Sequence, residues 1–248
     1  MCETCEHRHL TERRAIGRRD ALTLGFGMAA ILVAPTSAFA ADEDQPPKPQ
    51  NVISPEQALD RLIDGNGRYV NGLAKRHDFL AEREALVGGQ NPYAGILSCA
   101  DSRIAPELAF DSSRGDLFVV RVAGNFVTAD GLASFEFAVD ALKTPLLFVL
   151  GHEACGAVKA AISSIQDKIT LPGHLPSLVA GLAPAVDAAA NEPGDPVVNV
   201  TRENVRRNVE TLRTAGPIIS AAVDSGQVKV VGGIYRLATG QVELVGLH

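Results

Sequence analysis

Several features that would assign this chain to a class at once are missing from its sequence. The 248 residues contain no tryptophan and only four cysteines, and no basic stripe runs along them. The formal net charge is −6, from 23 Lys and Arg against 29 Asp and Glu. A mildly acidic chain without a basic stripe gives no support for nucleic-acid binding, so we expect no nucleic-acid partner.

A long hydrophobic run is also absent. The apolar stretch over 21–33 is shorter than the roughly 20 residues that a membrane-spanning helix needs. Arg18 and Arg19 precede it, and Ala38-Phe39-Ala40 after it has the small-x-small pattern of a cleavage site. Residues 1–40 are therefore predicted to be an export signal of the twin-arginine type, which is an address and not an anchor. An ordinary secretory signal and an uncleaved N-terminal anchor are the alternatives.

The signal prediction sets the expected domain organisation and location. We expect an exported, periplasmic protein with no stable membrane span once the signal is removed. Residues 41–53 begin with a polar, proline-rich stretch and are predicted to be a linker. The remaining residues, 54–248, suit a single domain with a sizeable core.

The few cysteines fall into two groups. The first group precedes the arginine pair, so we expect it to leave with the signal although its spacing resembles that of metal ligands: Cys2, Cys5, His7 and His9. Only Cys99 and Cys155 remain in the predicted domain. Because disulfides persist in exported proteins, a bond between these two is an alternative to a role in a site. It would leave unexplained why each cysteine follows a predicted strand beside a polar motif.

Apolar runs and helical stripes alternate along the domain. The runs predict buried strands over 93–97, 116–122, 146–150, 229–237 and 241–245. Helical patterns begin at Ser54-Pro55, a helix-start signature, and recur over 132–142, 157–165 and 201–223, the last as one helix or as two broken near Gly216-Pro217. This alternation predicts an α/β fold with a mostly parallel central sheet flanked by helices.

Three soft metal ligands follow two of these strands. Cys99 follows the first strand after one residue, Ser98, and His152 and Cys155 come after the third. Sites in such sheets form at the carboxyl ends of the strands, so these side chains are expected to converge. Two thiolates and an imidazole predict a zinc site with a fourth position left open, as catalytic zinc requires. Cys155 is also expected near a helix N-terminus, where the helix dipole favours a thiolate.

Two charged residues follow Cys99 closely. A carboxylate at Asp101 suits either a fourth ligand or an acceptor beside the metal, and Arg103 favours the second role by pairing with it. The simpler alternative is a loop salt bridge. Gly124-Asn125, between the ligand motifs, is either a cleft-lining segment or only a turn.

These motifs resemble the signatures of the beta-class carbonic anhydrases: CADSR at 99–103, RVAGN at 121–125 and HEACG at 152–156. The resemblance runs from about Ser54 to the C-terminus. It implies an α/β fold, one zinc ion per subunit, and a homodimer or homotetramer in which the helix from Ser54 reaches across the dimer. It also implies the reversible hydration of carbon dioxide to bicarbonate and a proton.

The resemblance assigns roles to the site residues as well. Cys99, His152 and Cys155 would be the zinc ligands, with water in the fourth position. Asp101 would accept a hydrogen bond from that water, and Arg103 would keep Asp101 ionised and off the metal. In some members of the family this aspartate moves onto zinc at lower pH, so Asp101 would be a ligand only in such a closed state.

One departure from the family concerns that closed state. In part of the family it accompanies a noncatalytic bicarbonate site with a tryptophan three residues before the first zinc cysteine. This chain has Ile96 at that position and no tryptophan, although Arg121 and Tyr235 match the arginine and tyrosine of that site. We therefore predict no bicarbonate-regulated closed state, and we expect Arg121 to be a structural ion-pair partner.

Other functions remain alternatives at this stage. Relatives in the family hydrolyse carbon disulfide or carbonyl sulfide with the same ligands, and a noncatalytic zinc-stabilised binding protein would need the ligands but not Asp101 and Arg103. A cysteine phosphatase is excluded because the position six residues after Cys155 holds Ala161 and not arginine. The histidines outside the motifs are expected at the surface and not as proton shuttles: His77, His174 and His248.

Overall fold

The computed structural model describes residues 51–246 of the chain. The predicted export signal, the N-terminal group of cysteines and histidines, most of the predicted linker and His248 lie outside the described residues. No helix among the described residues combines the length and apolar character needed to cross a membrane.

A single sheet organises this part of the chain. Its strands within 51–246 are β1 Ala94–Ser98, β2 Leu117–Arg121, β3 Leu146–His152, β4 Lys229–Tyr235 and β5 Val242–Val245. They lie in the order β2-β1-β3-β4-β5. Neighbouring strands are parallel except β5, which runs antiparallel to β4. The predicted mostly parallel sheet is thus confirmed, and every residue of β1 and β3 is buried, which explains their continuous apolar runs.

Helices cover both faces of the sheet. Within the described range they are α1 Pro55–Val70, α2 Phe79–Ala85, α3 Pro106–Ala109, α4 Ala129–Asp140, α5 Gly156–Gln166, α6 Leu175–Ala188, α7 Pro196–Arg213 and α8 Ile218–Asp224. Alternate residues of β3 pack to opposite sides, as the strand pleat requires. Leu146 and Phe148 join the cluster that contains residues of α1 and α3, and Leu147 and Val149 join the one that contains residues of α4, α7 and α8.

The start of α1 follows its sequence signature. The Ser54 hydroxyl accepts a hydrogen bond from the Gln57 N–H, and the Gln57 side chain accepts one from the Ser54 N–H, at 3.2 and 2.9 Å. These two bonds form the capping box, with Pro55 in the first turn. Ala58 and Leu62 are fully buried in this chain's own core. A contact between α1 and a second copy stays a prediction.

Two glycines of α1 allow a matched test of this packing. A Cβ at Gly65 would lie 1.9 Å from the Phe110 carbonyl oxygen, whereas a Cβ at Gly67 would meet no atom within 4 Å. We expect Gly65→Ala to lower the free energy of unfolding by about 1–3 kcal/mol because the backbone around Phe110 must move. Gly67→Ala should raise it by up to about 1 kcal/mol because alanine favours a helix. Chemical denaturation measures both, and a Gly65→Ala protein as stable as wild type would contradict the packing of α1.

The sequence pattern missed α2, α3 and α6. The stretch that forms α6 contains Gly181 and Pro184, both of which disfavour a helix interior. Farther along, the break near Gly216-Pro217 is present, because α7 and α8 are separate helices. The first of them begins at Pro196, five residues before the predicted start, with Asp195 as its N-cap.

Candidate metal centre

The carboxyl ends of two neighbouring strands bring the three predicted ligands together. Cys99 directly follows β1, His152 is the last residue of β3, and Cys155 is the N-cap of α5. The ligand atoms of these side chains all lie within 4.8 Å of one another. All three residues are buried, with exposures of 3%, 0% and 1%. The predicted convergence is therefore present in the structure.

Both sulfur atoms are available to a metal. Cys99 and Cys155 are free thiols, so the alternative disulfide between them is not formed. The Cys155 thiol hydrogen-bonds to Cys99 and lowers the pKa of Cys99. The same hydrogen bond, together with burial, raises the pKa of Cys155. The expected thiolate-favouring effect of the α5 N-terminus is thus outweighed by the neighbouring sulfur, and a cation between the two would allow both to ionise.

The imidazole of His152 is oriented for ligation. Its Nδ1 lies 2.8 Å from the Glu153 carbonyl oxygen, so Nδ1–H is the donor and Nε2 carries the lone pair. Nε2 is buried, and no residue within 51–246 forms a hydrogen bond to it. A buried polar atom without a partner is costly unless something binds it. Two thiols and this nitrogen form the soft donor set that zinc prefers, so the residues present fit zinc.

Asp101 lies beside this group and is hydrogen-bonded to Arg103. The guanidinium donates to both carboxylate oxygens, with Nε–Oδ1 and Nη2–Oδ2 distances of 2.9 and 2.7 Å, and the Arg103 backbone N–H adds a third bond at 2.9 Å. These hydrogen bonds hold the pKa of Asp101 well below its usual range. Asp101 Oδ2 lies 3.9 Å from His152 Nε2. The carboxylate therefore stays ionised beside the ligand group and is bound to arginine.

Comparison with known proteins agrees with this geometry. The family model described as carbonic anhydrase matches residues 94–242, which include all three ligands. Carbonic anhydrase 2 of Mycobacterium tuberculosis is 36% identical over 192 residues, which cover 77% of this chain and 93% of the relative. The solved structure of the beta-carbonic anhydrase CcaA is 30% identical with a TM-score of 0.57, over 76% of this chain and 99% of that one. This chain belongs to the beta-class carbonic anhydrases.

A second solved member of the family shows the same fold. The Coccomyxa beta-carbonic anhydrase in complex with acetazolamide is 28% identical with a TM-score of 0.58, over 75% of this chain and 86% of that one. Carbon dioxide hydration is the reaction of this enzyme family. Residues 94–242, which the family model matches, include Cys99, Asp101, His152 and Cys155.

Arg121 forms no ion pair with any residue that the structure describes, contrary to the expectation from the sequence. Its Nε donates to the Cys99 carbonyl at 2.9 Å, and its Nη2 donates to the carbonyls of Asp101 and Ile104 at 2.8 and 2.9 Å. Arg121 thus fixes the backbone that connects the first ligand to α3. Tyr235, the other matching residue, is 5% exposed and its hydroxyl lies 3.2 Å from that of Tyr69.

These contacts bear on the predicted absence of bicarbonate regulation. Arg121 donates to three carbonyls, and Ile96 in the place of tryptophan is fully buried. We expect the hydration rate to change by less than about twofold as the bicarbonate concentration is raised, apart from the decrease that product inhibition causes. A crystal soaked in bicarbonate should keep Asp101 on Arg103. An anion held by Arg121 and Tyr235, with Asp101 moved to the metal, would contradict the prediction.

Other predicted residues lie in more ordinary surroundings. The His77 side chain is only 19% exposed, so it is less accessible than expected, and its Nδ1 lies within hydrogen-bond distance of Glu82 and Ser113. His174 is exposed at the start of α6, as expected. Neither histidine belongs to the ligand group.

Gly124, for which the sequence left two roles open, and Asn204, which the sequence pattern did not single out, complete the site. The backbone N–H of Gly124 donates to Cys99 Sγ at 3.3 Å, so the 124–125 segment is both a turn and part of the metal centre. The Gly124 carbonyl in turn accepts from Asn204 on α7. The available signal for Asn204 was that buried asparagines in a helix are unusual. Its contact with Gly124, however, spans 80 residues of sequence, and no local pattern indicates it.

Proposed function

We propose that this chain catalyses the zinc-dependent, reversible hydration of carbon dioxide to bicarbonate and a proton. The observation that carries the proposal is the buried group of two free thiols and an unpartnered imidazole nitrogen within 4.8 Å of one another. Cys99, His152 and Cys155 would hold the ion. Bound there, zinc supplies Lewis acidity that lowers the pKa of water toward about 7.

Asp101 positions the nucleophile in this proposal. As an ionised carboxylate it only accepts hydrogen bonds, so it accepts one from the attacking water and orients the oxygen lone pair toward carbon dioxide. Arg103 occupies both carboxylate oxygens, which keeps Asp101 charged and at a fixed angle. The Asp101–Arg103 pair is therefore a loop salt bridge, as in the simpler interpretation, and this salt bridge orients the Asp101 carboxylate for its role in the site.

The surroundings of the two cysteines suit an uncharged substrate. Cys99 and Cys155 belong to an apolar cluster with Val158, Leu182 and Val200, which come from α5, α6 and α7. Carbon dioxide carries no charge, so it can move from water into apolar surroundings without new hydrogen bonds to offset a desolvation cost. Bicarbonate is charged and leaves such surroundings more readily than it enters them.

Metal analysis combined with stopped-flow hydration tests the proposal. Purified protein should contain about one zinc ion per chain and should hydrate carbon dioxide, and removal of zinc should abolish the activity reversibly. Sulfide release from carbon disulfide is measured in parallel. Sulfide release without hydration would replace the proposal by the hydrolase alternative, and hydration by zinc-free protein would overturn the role of the metal.

We also propose that the chain assembles as a homodimer or homotetramer. Strand β2 lies at an edge of the sheet, where unpaired backbone groups favour association. Phe137 is 52% exposed, and its ring lies 6.5 Å from that of Phe118 on β2. Light scattering across a dilution series gives the mass, and a monomer at micromolar concentration would contradict the proposal.

The predicted signal supports export to the periplasm as a further proposal. Arg18 and Arg19 precede an apolar stretch and a small-x-small site. Cells that make the full chain should release a processed form that begins near residue 41. Replacement of both arginines by lysine should stop that processing, whereas unchanged processing would indicate an ordinary secretory signal.

A further inference from the structure

A row of buried amides connects α7 to the sulfur of Cys99. Asn204 Nδ2 donates to the Gly124 carbonyl at 2.8 Å, and the Gly124 N–H donates to Cys99 Sγ at 3.3 Å. One turn farther along α7, Asn208 Nδ2 donates to Asn204 Oδ1 at 2.9 Å. Asn208 Oδ1 accepts the Val127 N–H at 2.7 Å. We refer to Asn204 and Asn208 as the amide pair.

We propose that Asn204 is a positioning residue for the metal centre, acting through the Gly124 peptide on Cys99. The inference rests on the proposed function, because it assigns a purpose to the hydrogen bond on a zinc ligand. The amide pair contributes no ligand of its own. It acts on the site through its hydrogen bonds to the backbone of Gly124 and Val127.

The turn needs such support because of its conformation. Gly124 has φ +88° and Asn125 has φ +41°, both in the left-handed region. Glycine is free to leave this region, so nothing in the local chain fixes the direction of its N–H. The Asn125 N–H bonds back to the Val122 carbonyl at 2.9 Å. With the two side-chain bonds from α7, the turn is held on both sides of Gly124.

Burial makes these bonds strong determinants of geometry. Asn204 is 2% exposed and Asn208 is 7% exposed, so water does not readily replace either partner. A Cβ at Gly124 would lie 2.9 Å from Leu182 Cδ1, so the turn cannot be made rigid by replacing this glycine with a residue of lower backbone flexibility. Rigidity of the turn therefore depends on the amide pair, which lies on a helix packed against β3 and β4.

An N–H bond to a ligand sulfur has a defined chemical effect. It withdraws electron density from the thiolate, which raises the energy of the sulfur-to-metal charge-transfer band, and it fixes the sulfur position before the ion binds, which favours zinc binding. Loss of a hydrogen-bonded partner of a metal ligand typically costs roughly 10- to 100-fold in metal affinity or activity. Asn204 and Asn208 are thus expected to set zinc affinity from outside the ligand group.

The chain offers a matched control on the same helix. Asn199 is 4% exposed, and its Nδ2 donates to the Glu192 and Pro193 carbonyls at 3.4 and 3.1 Å. It is therefore another buried asparagine of α7 that bonds to loop carbonyls, but its partners lie outside the ligand segments. Asn199→Ala should cost the fold about as much as Asn204→Ala and leave the metal centre unchanged.

The experiment compares Asn204→Ala, Asn208→Ala and Asn199→Ala with the full wild-type chain. Zinc affinity is measured by equilibrium competition with a chromogenic chelator, the sulfur-to-metal charge-transfer band is recorded with cobalt(II), and circular dichroism reports folding. We expect Asn204→Ala to lose roughly 10- to 100-fold in zinc affinity and to shift the band to lower energy. Asn208→Ala, one step farther from Cys99, should show a smaller change in the same direction.

The outcomes separate this inference from the proposed function. Wild-type zinc affinity and an unshifted band in both Asn204→Ala and Asn208→Ala would overturn the inference alone. An equal loss in Asn199→Ala would also overturn it, because the effect would then be general destabilisation. If Asn204→Ala does not fold, Asn208→Ala decides. A wild-type chain that binds no zinc would overturn the proposed function, and the inference with it.

Discussion

Asp101→Asn is expected to lower kcat/KM for carbon dioxide hydration by about 100-fold or more while zinc stays bound. The asparagine has nearly the same shape, but its amide carries no charge and offers one acceptor oxygen in place of two. Asp101 receives three hydrogen bonds from Arg103, so the substitution also weakens the pair that fixes its orientation. Stopped-flow hydration and zinc analysis of the same preparation measure the two effects.

A second ion pair of the same geometry provides the control. Arg213 donates to both oxygens of Glu210 at 2.9 and 3.0 Å on the exposed side of α7. Glu210→Gln weakens a two-bond guanidinium pair, as Asp101→Asn does, and because this pair is exposed it should leave kcat/KM within about twofold of wild type. Full hydration activity in Asp101→Asn would show that Asp101 is not part of the mechanism, and loss of zinc would make its role structural.

Cys155→Ser is expected to have the largest effect on the metal. The substitution removes one of three ligand atoms that lie within 4.8 Å of one another. A serine hydroxyl is a poor ligand for zinc compared with a thiolate, so zinc affinity should fall by well over the roughly 100-fold that loss of a supporting hydrogen bond costs. Zinc content after dialysis should drop far below one ion per chain, and hydration should be lost.

The N-terminal cysteines provide the comparison for this variant. Cys2→Ser together with Cys5→Ser removes two thiols that the sequence analysis places in the export signal. That double variant should retain one zinc ion per chain and full activity. Retention of zinc by Cys155→Ser, or a loss of zinc in the double variant, would show that the ion binds elsewhere.

The ligand group could be predicted because its determinants are local. Each ligand segment follows a continuous apolar run, and such runs predict buried parallel strands whose carboxyl ends meet. Adjacency of β1 and β3 was needed as well, and the structure supplies it with Gly95 opposite Leu147 and Ser98 opposite Leu150. Asp101 and Arg103 pair across two residues, so their contact also follows from local sequence.

The supporting contacts could not be predicted because their determinants are not local. Asn204 and Gly124 are 80 residues apart, and their contact exists only after α7 has packed on the sheet. Arg121 reaches three carbonyls of a loop whose path depends on tertiary structure. Charge and residue type suggested an ion pair for Arg121, but backbone carbonyls of that loop were the acceptors within reach.

Helix α6 shows how a local signal can point the wrong way. Gly181 and Pro184 argue against a helix there when propensity alone is considered. A Cβ at Gly181 would lie 2.4 Å from the Phe126 ring, so glycine is what allows α6 to approach that ring. Close tertiary packing therefore explains why a glycine stands inside this helix.

The depth of the three donors has a consequence for exchange kinetics. Side chains that are 3%, 0% and 1% exposed cannot turn outward one at a time without disturbing β1, β3 and α5. An ion seated among them would be replaced slowly by competing metals, since departure requires a local opening of the protein and not only rupture of coordination bonds. Whichever metal arrives first would then be retained for a long time, which makes the compartment of loading as decisive as the relative affinities.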